Sequence, residues 1–221
     1  MSYHLRIKIC GITRPADARE AGRLGADAVG LNFFEGSPRR IDSAAVEDVL
    51  AELPPFVEAV GVFVNRPLGE AFAFLETWRR IRVVQWHGEN CGLGDGYPHR
   101  LIPAFPVRDI SSLAVVTSYI EACRSLGRVP AAVLLDGHAP GQHGGTGRIA
   151  PWELIAAFRP GVPVILAGGL TSDNVAEAVR IVRPYAVDVA SGVESAPGHK
   201  DAEKMRRFIA AAYEAAAKIN E

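Results

Sequence analysis

Residues 131–147, Ala-Ala-Val-Leu-Leu-Asp-Gly-His-Ala-Pro-Gly-Gln-His-Gly-Gly-Thr-Gly, place an acid next to a cradle for an anion. The run Ala131 to Asp136 is apolar and stops abruptly at a carboxylic acid, the pattern of a buried strand with an acid at its C-terminal end. The loop behind it closes on Gly144-Gly145-Thr146-Gly147, where missing side chains let backbone N–H groups approach an anion closely. A thiol, Cys10, ends another apolar run, and two small turns, Ala167-Gly168-Gly169 and Ala190-Ser191-Gly192, end two more. An acid beside an anion cradle suggests chemistry on a phosphorylated substrate. Taken singly, the acid, the thiol and the glycine loops are equally a turn cap, a small buried hydrophobe and tight βα turns. The elements that carry them decide whether they meet.

At 221 residues, 48% hydrophobic and 22% charged, the chain has the composition of a globular protein able to bury one substantial core, and a single domain over 1–221 is expected. No apolar run reaches membrane-spanning length, and the start Met-Ser-Tyr-His-Leu-Arg-Ile-Lys lacks the apolar stretch of a signal peptide. A cytoplasmic protein with no membrane partner is the expectation. Cys10, Cys91 and Cys123 are an odd number without metal-type spacing, which predicts neither a disulfide framework nor a metal site. A net charge of −1 with no basic run argues against nucleic acid as a partner. The partner should be a small molecule, and no cofactor is called for.

Apolar strands alternate with amphipathic helices along the chain. Strands are predicted at Leu5 to Cys10, Ala28 to Phe33, Glu58 to Val64, Arg82 to Trp86, Arg100 to Ala104, Ala131 to Asp136, Pro163 to Ala167 and Tyr185 to Ala190. Pro15 suits the first turn of a helix that stops at Gly25, and Asp42 or Ser43 caps one whose Val46, Val49, Leu50 and Leu53 fall on one face. Helical stripes recur at Leu68, Ala71, Phe72 and Leu75, at Leu113, Val116, Ile120 and Cys123, and at Val175, Ala178, Val179 and Val182 behind a Thr171 or Ser172 cap. Trp152 to Phe158 makes a short helix and Ala202 to about Asn220 a long one. The four glycines of Gly88 to Gly96 leave room only for a stunted helix after strand four.

Eight such repeats predict an α/β fold, a single-domain parallel (β/α)8 TIM barrel. The competing open doubly wound sheet would carry Gly-x-Gly-x-x-Gly after strand one, and none is present. Because barrel sites lie at the C-terminal ends of the strands, Cys10, Phe33, Asn65, Trp86 with His87, Asp136, Gly168 and Ser191 should ring one pocket. Barrels commonly bind phosphate on the loops after strands seven and eight, here the two glycine-bearing turns, with helix N-termini behind them adding donors.

In order along the chain, Lys8-Ile9-Cys10-Gly11-Ile12-Thr13, Gly25-Ala26-Asp27-Ala28-Val29-Gly30, Ser37-Pro38-Arg39-Arg40-Ile41, Val60-Gly61-Val62-Phe63-Val64-Asn65 and Gln85-Trp86-His87-Gly88 resemble motifs of the phosphoribosylanthranilate isomerase family of tryptophan biosynthesis. So do Leu134-Leu135-Asp136, Gly144-Gly145-Thr146-Gly147, Ala167-Gly168-Gly169-Leu170 and Val187-Asp188-Val189-Ala190-Ser191-Gly192-Val193-Glu194, so that the resemblance spans nearly the whole chain. It implies an Amadori rearrangement of N-(5-phosphoribosyl)anthranilate to 1-(2-carboxyphenylamino)-1-deoxyribulose 5-phosphate. It also implies Cys10 as general base, Asp136 as general acid, Arg39 at the anthranilate carboxylate, and Gly145, Thr146, Gly169, Ser191 and Gly192 at the phosphate. Trp86, Pro103 and Ala150-Pro151 depart from the commoner family pattern.

The chemistry is consistent with those roles. Ring opening needs a proton on the furanose oxygen, and the next step removes a proton from C2′, so one acid and one base suffice. Opposite strands of a barrel place them on different sides of the sugar. Asp136 must be protonated, which burial and nearby substrate anions favour. Cys10 must ionise, although a free thiol with a pKa of about 8.5 is only slightly ionised at neutral pH. A strand-end or helix N-terminal dipole is expected to help it. His87, His138 and His143 are near by location only, Asn65 and Gln85 are expected to orient loops, and Trp152 to pack. Two other readings remain open: the related isomerase of histidine biosynthesis, which has aspartate where this chain has Cys10, and a non-catalytic phosphosugar-binding barrel. The latter would need the glycine loops but not both Cys10 and Asp136.

Overall fold

A computed structural model describes residues 2–88, 100–137 and 152–221. The glycine stretch 88–96 is therefore outside the described residues from 89 onward, and so are Cys91, His138, His143, Gly145, Thr146 and Ala150-Pro151. Eight parallel strands close into a barrel in chain order: β1 (Arg6–Cys10), β2 (Ala28–Asn32), β3 (Glu58–Val64), β4 (Ile81–His87), β5 (Arg100–Pro106), β6 (Val133–Asp136), β7 (Val164–Ala167) and β8 (Ala186–Val189). The ring is completed where β8 pairs with β1, Lys8 standing opposite Asp188.

Helices α1 (Pro15–Leu24), α2 (Val46–Ala51), α3 (Leu68–Leu75), α4 (Ile110–Ser125), α5 (Trp152–Ala157), α6 (Val175–Val182) and α7 (Ala202–Ala217) accompany the strands. Their ends follow local chemistry. Pro15 opens α1 and Gly25 closes it with φ 100°, a left-handed conformation that costs glycine little. Asp42 caps a single 3₁₀ turn, Ser43–Ala45, that leads into α2. The cap expected at Thr171 or Ser172 is displaced: α6 begins after Asn174, whose side chain instead accepts from the Thr171 amide at 2.8 Å.

Because side chains alternate along a strand, every barrel strand serves two cores. Ile7, Ile9, Val29, Leu31, Phe63, Leu135 and Val187 point outward and pack under the helices. Val60, Val83, Ile102, Ala104, Leu134, Ile165, Ala167 and Ala186 point inward and fill the barrel. The helical stripes read from the sequence land on the outer core: Leu113, Val116, Ile120, Val175, Ala178, Val179 and Val182 are all buried.

The chain after β8 adds structure with no counterpart in the sequence reading. A 3₁₀ turn at Ser191–Val193 runs into an antiparallel hairpin of β9 (Glu194–Ala196) and β10 (His199–Lys200). The hairpin returns Lys200 to the exit of β8, where its Nζ donates to the Ala190 carbonyl at 3.1 Å.

Candidate active site

A cavity of about 300 Å³ opens at the C-terminal ends of the strands. Cys10 from β1 and Asp136 from β6 both border it, as do His87, Gly168, Gly169 and Ser191. The strand-end residues expected to ring one pocket therefore divide into two groups. Phe33, Asn65 and Trp86 are not among its walls. Phe33 stacks outside the barrel on Phe63 and Trp78, with ring centroids 5.3 and 5.8 Å apart. Trp86 also points outward, is 4% exposed, and donates its indole N–H to the Arg66 carbonyl at 2.7 Å. Asn65 turns away in a left-handed conformation, φ 52°. The reason is parity: one step along a strand reverses the direction of the side chain. It also removes the Trp86 departure from the pocket, since that side chain packs under the helices.

The same parity brings in residues that proximity to the loops did not flag. Lys8, two residues before Cys10, points into the barrel, is 4% exposed, and pairs with Asp188 on β8 at 2.9 Å. Burial pushes the Cys10 thiol up, and Lys8 acts against it. A lysine ammonium, which the sequence reading did not single out, therefore opposes the effect of burial. Gln85 is buried beside His87, with their Nε2 atoms 2.8 Å apart, and its Oε1 has no hydrogen-bond partner among the described residues. Burial and the Lys8 charge lower the His87 pKa to about 4, so its imidazole is neutral near pH 7. A charged or amide residue at an inward position of an otherwise apolar strand was the available signal for Lys8, Gln85 and Asp188.

Arg39 reaches the cavity from the loop after β2 and is already anchored. Its Nε and Nη2 donate to the Glu194 carboxylate, and Lys200 Nζ donates to Glu194 Oε1 at 2.8 Å. Burial pushes the Glu194 carboxyl up, but Arg39 and Lys200 together hold it below its ordinary value. Neither Glu194 as a partner for Arg39 nor Lys200 was legible from spacing, because the hairpin that delivers them was not.

The loops after β7 and β8 lie against each other. Gly168 and Gly169 have φ 95° and 65°, and a Cβ on Gly192 would stand 2.0 Å from the Leu170 carbonyl oxygen, so only glycine permits this approach. Ser191 and Gly192 open the 3₁₀ turn, where backbone N–H groups have no partner within the turn itself. Gly169 and Ser191 border the cavity and Gly192 braces them from behind. Gly145 and Thr146 lie outside the described residues. Among the described residues no cluster of three or more His, Cys, Asp or Glu can hold a metal ion, and no helix is long and apolar enough to cross a membrane.

The chain is similar to known proteins in sequence and in fold. A family model described as N-(5'phosphoribosyl)anthranilate (PRA) isomerase matches residues 7–211. The N-(5'-phosphoribosyl)anthranilate isomerases of Geobacter metallireducens and Geobacter sulfurreducens are 48% and 49% identical, each alignment covering 93% of this chain and 97% of the relative. The crystal structure of phosphoribosyl anthranilate isomerase from Thermotoga maritima superposes with a TM-score of 0.80 at 35% identity, covering 96% of this chain and all of that one. A second solved structure of a phosphoribosyl anthranilate isomerase, in complex with reduced 1-(o-carboxyphenylamino)-1-deoxyribulose 5-phosphate, gives a TM-score of 0.77 at 33% identity, with coverage of 96% and 100%.

Proposed function

The chain belongs to the N-(5'-phosphoribosyl)anthranilate isomerase family, and from that premise we propose that Cys10 and Asp136 perform its two proton transfers inside the cavity. The reaction converts N-(5-phosphoribosyl)anthranilate to 1-(2-carboxyphenylamino)-1-deoxyribulose 5-phosphate, a step of tryptophan biosynthesis. A cytoplasmic location, one domain and a small phosphorylated substrate as partner belong to the same reading.

Asp136 protonates the furanose ring oxygen, the C1′–O bond breaks, and the anilino nitrogen supplies the electron pair that forms the Schiff base. Cys10, as thiolate, then takes the proton from C2′ and leaves an enolamine, which tautomerises to the aminoketose. Support comes from one observation above all: the two groups stand at the exits of β1 and β6 and border a single cavity. Strands β7 and β8 separate them on one side of the ring and β2 to β5 on the other, so they approach the sugar from different directions.

The anthranilate carboxylate is assigned to Arg39, whose guanidinium borders the cavity while Glu194 fixes its plane. The phosphate is assigned to the loop amides of Gly169, Ser191 and Gly192, completed by Gly145 and Thr146. Helix α6 follows the first of these loops and favours an anion there.

The relatives' name and the thiol at position 10 both favour this isomerase over the histidine-pathway enzyme. The deciding experiment is turnover of N-(5-phosphoribosyl)anthranilate by Cys10→Ala and Asp136→Asn. Each should lose about 10²–10⁴ in kcat, the usual contribution of a positioned acid or base. Wild-type turnover in Cys10→Ala would refute the assignment of the base.

A further inference from the structure

We propose that Lys8 is the positioning residue that lets Cys10 act as a base: its ammonium, held by Asp188, flanks the sulfur inside the barrel and stabilises the thiolate. The inference rests on Cys10 being the base and names the group that makes it one.

The geometry begins with parity. Lys8 and Cys10 are two apart on β1, so both point inward, with the lysine one layer below the cavity. The inner core of the barrel is built from apolar residues such as Val60, Ile165 and Ala186. A buried ion pair there is no asset to stability, since apolar residues of like volume commonly serve as well or better. Its position against the sulfur supplies the reason. A Cβ on Gly30 of the neighbouring strand would fall 2.7 Å from Cys10 Sγ and 3.0 Å from Lys8 Nζ, so the two atoms flank one point that only glycine leaves open. Asp188, the register partner of Lys8 on β8, fixes the ammonium at 2.9 Å.

Among the described residues, the charged groups that bear on the thiol are Lys8, Asp188 and Lys200. Burial pushes the Cys10 thiol up, Lys8 is the strongest influence pulling it down, Asp188 pushes it up, and Lys200 from β10 pulls it down more weakly. Lys200 and Arg39 share the single Glu194 carboxylate, which offsets one of their two charges, and Lys200 also donates to the Ala190 carbonyl. His87 on β4 is neutral, and Asp136 on β6 borders the same cavity. Burial pulls the Lys8 ammonium down, but Asp188 and the sulfur raise it above its ordinary value, so it is charged at neutral pH. Lys8 takes up no proton in the cycle: the C2′ proton goes to sulfur, and the lysine offsets the charge that exists when sulfur is free.

The test titrates Cys10 itself, by the pH dependence of its iodoacetamide alkylation read on the isolated peptide, alongside the acidic limb of kcat/KM. In Lys8→Met, and in Lys8→Met/Asp188→Asn where no lone carboxylate is left behind, both midpoints should rise by at least about one pH unit, a tenfold loss of thiolate at fixed pH. Lys8→Arg should recover part of the shift. A midpoint within about 0.3 unit of wild type in either folded variant would overturn the proposal. Should neither fold, wild type and Cys10→Ala suffice: the Lys8 ¹⁵Nζ resonance should step at the Cys10 midpoint in wild type and lose that step in Cys10→Ala, and its absence in wild type would be equally fatal. If Lys8 shifts the thiol but Cys10→Ala still turns over, the base assignment fails and the coupling stands.

Discussion

Arg39 meets Glu194 through one edge of its guanidinium, Nε at 2.9 and 3.1 Å and Nη2 at 2.8 Å, so it enters the cavity with its plane already set. A planar fork fixed on one side presents its remaining N–H groups in one orientation, which suits a carboxylate on a flat ring. Arg39→Ala should therefore raise KM roughly tenfold to a hundredfold with a much smaller change in kcat, as loss of a charge-assisted hydrogen bond does. Glu194→Gln should raise KM in the same direction by less. A substrate analogue lacking the carboxylate should be indifferent to both; equal losses with the analogue would show that Arg39 reads no carboxylate.

The acid and the base act on one substrate in consecutive steps, which makes their losses interdependent. Cys10→Ala/Asp136→Asn should lose less in kcat than the product of the single effects. In wild type, kcat should rise with pH as the thiolate of Cys10 forms and fall as Asp136 gives up its proton. Single-turnover kinetics across the pH range would show both limbs, and a rate independent of pH would contradict the scheme.

Gly192 tests the phosphate loops without touching either proton-transfer group. A methyl group there would meet the Leu170 carbonyl oxygen at 2.0 Å and push the two loops apart. Gly192→Ala should cost about 1–3 kcal/mol of stability as an overpacked site. It should also weaken inorganic phosphate as an inhibitor by an order of magnitude. Thermal melts with and without phosphate provide the check: a wild-type-sized increase in Tm on adding phosphate would argue against these loops as the anion site.

His87 makes a pH-dependent contribution whose sign is fixed by burial. Its folded pKa of about 4 lies below the ordinary 6.5, so the unfolded chain binds the extra proton first and stability falls as pH drops through that window. Between pH 7 and pH 5 the lost contribution is about 2 kcal/mol. Urea unfolding of wild type and His87→Asn at both pH values should show the wild type losing more by roughly that amount. Identical losses would mean the imidazole is not held neutral by the fold.

The sequence by itself determined the order of elements, the helix faces and the strand exits. Those are set by neighbours a few residues away: the spacing of Val175, Ala178, Val179 and Val182, Pro15 and Gly25 at the ends of α1, and the apolar run that stops at Asp136. It also gave Cys10 and Asp136 their places, because eight repeats close only one way and both residues sit at strand ends. Tertiary structure decided which strand-end side chains enter the cavity. Phe33 and Trp86 looked equivalent to Cys10 along the chain, yet one residue of phase sends them under the helices. It also decided the partners. Lys8 and Asp188 are 180 residues apart and Arg39 and Glu194 are 155 apart. Both pairs exist only because β8 closes on β1 and the hairpin behind it folds back, and no local pattern encodes a contact made by closure.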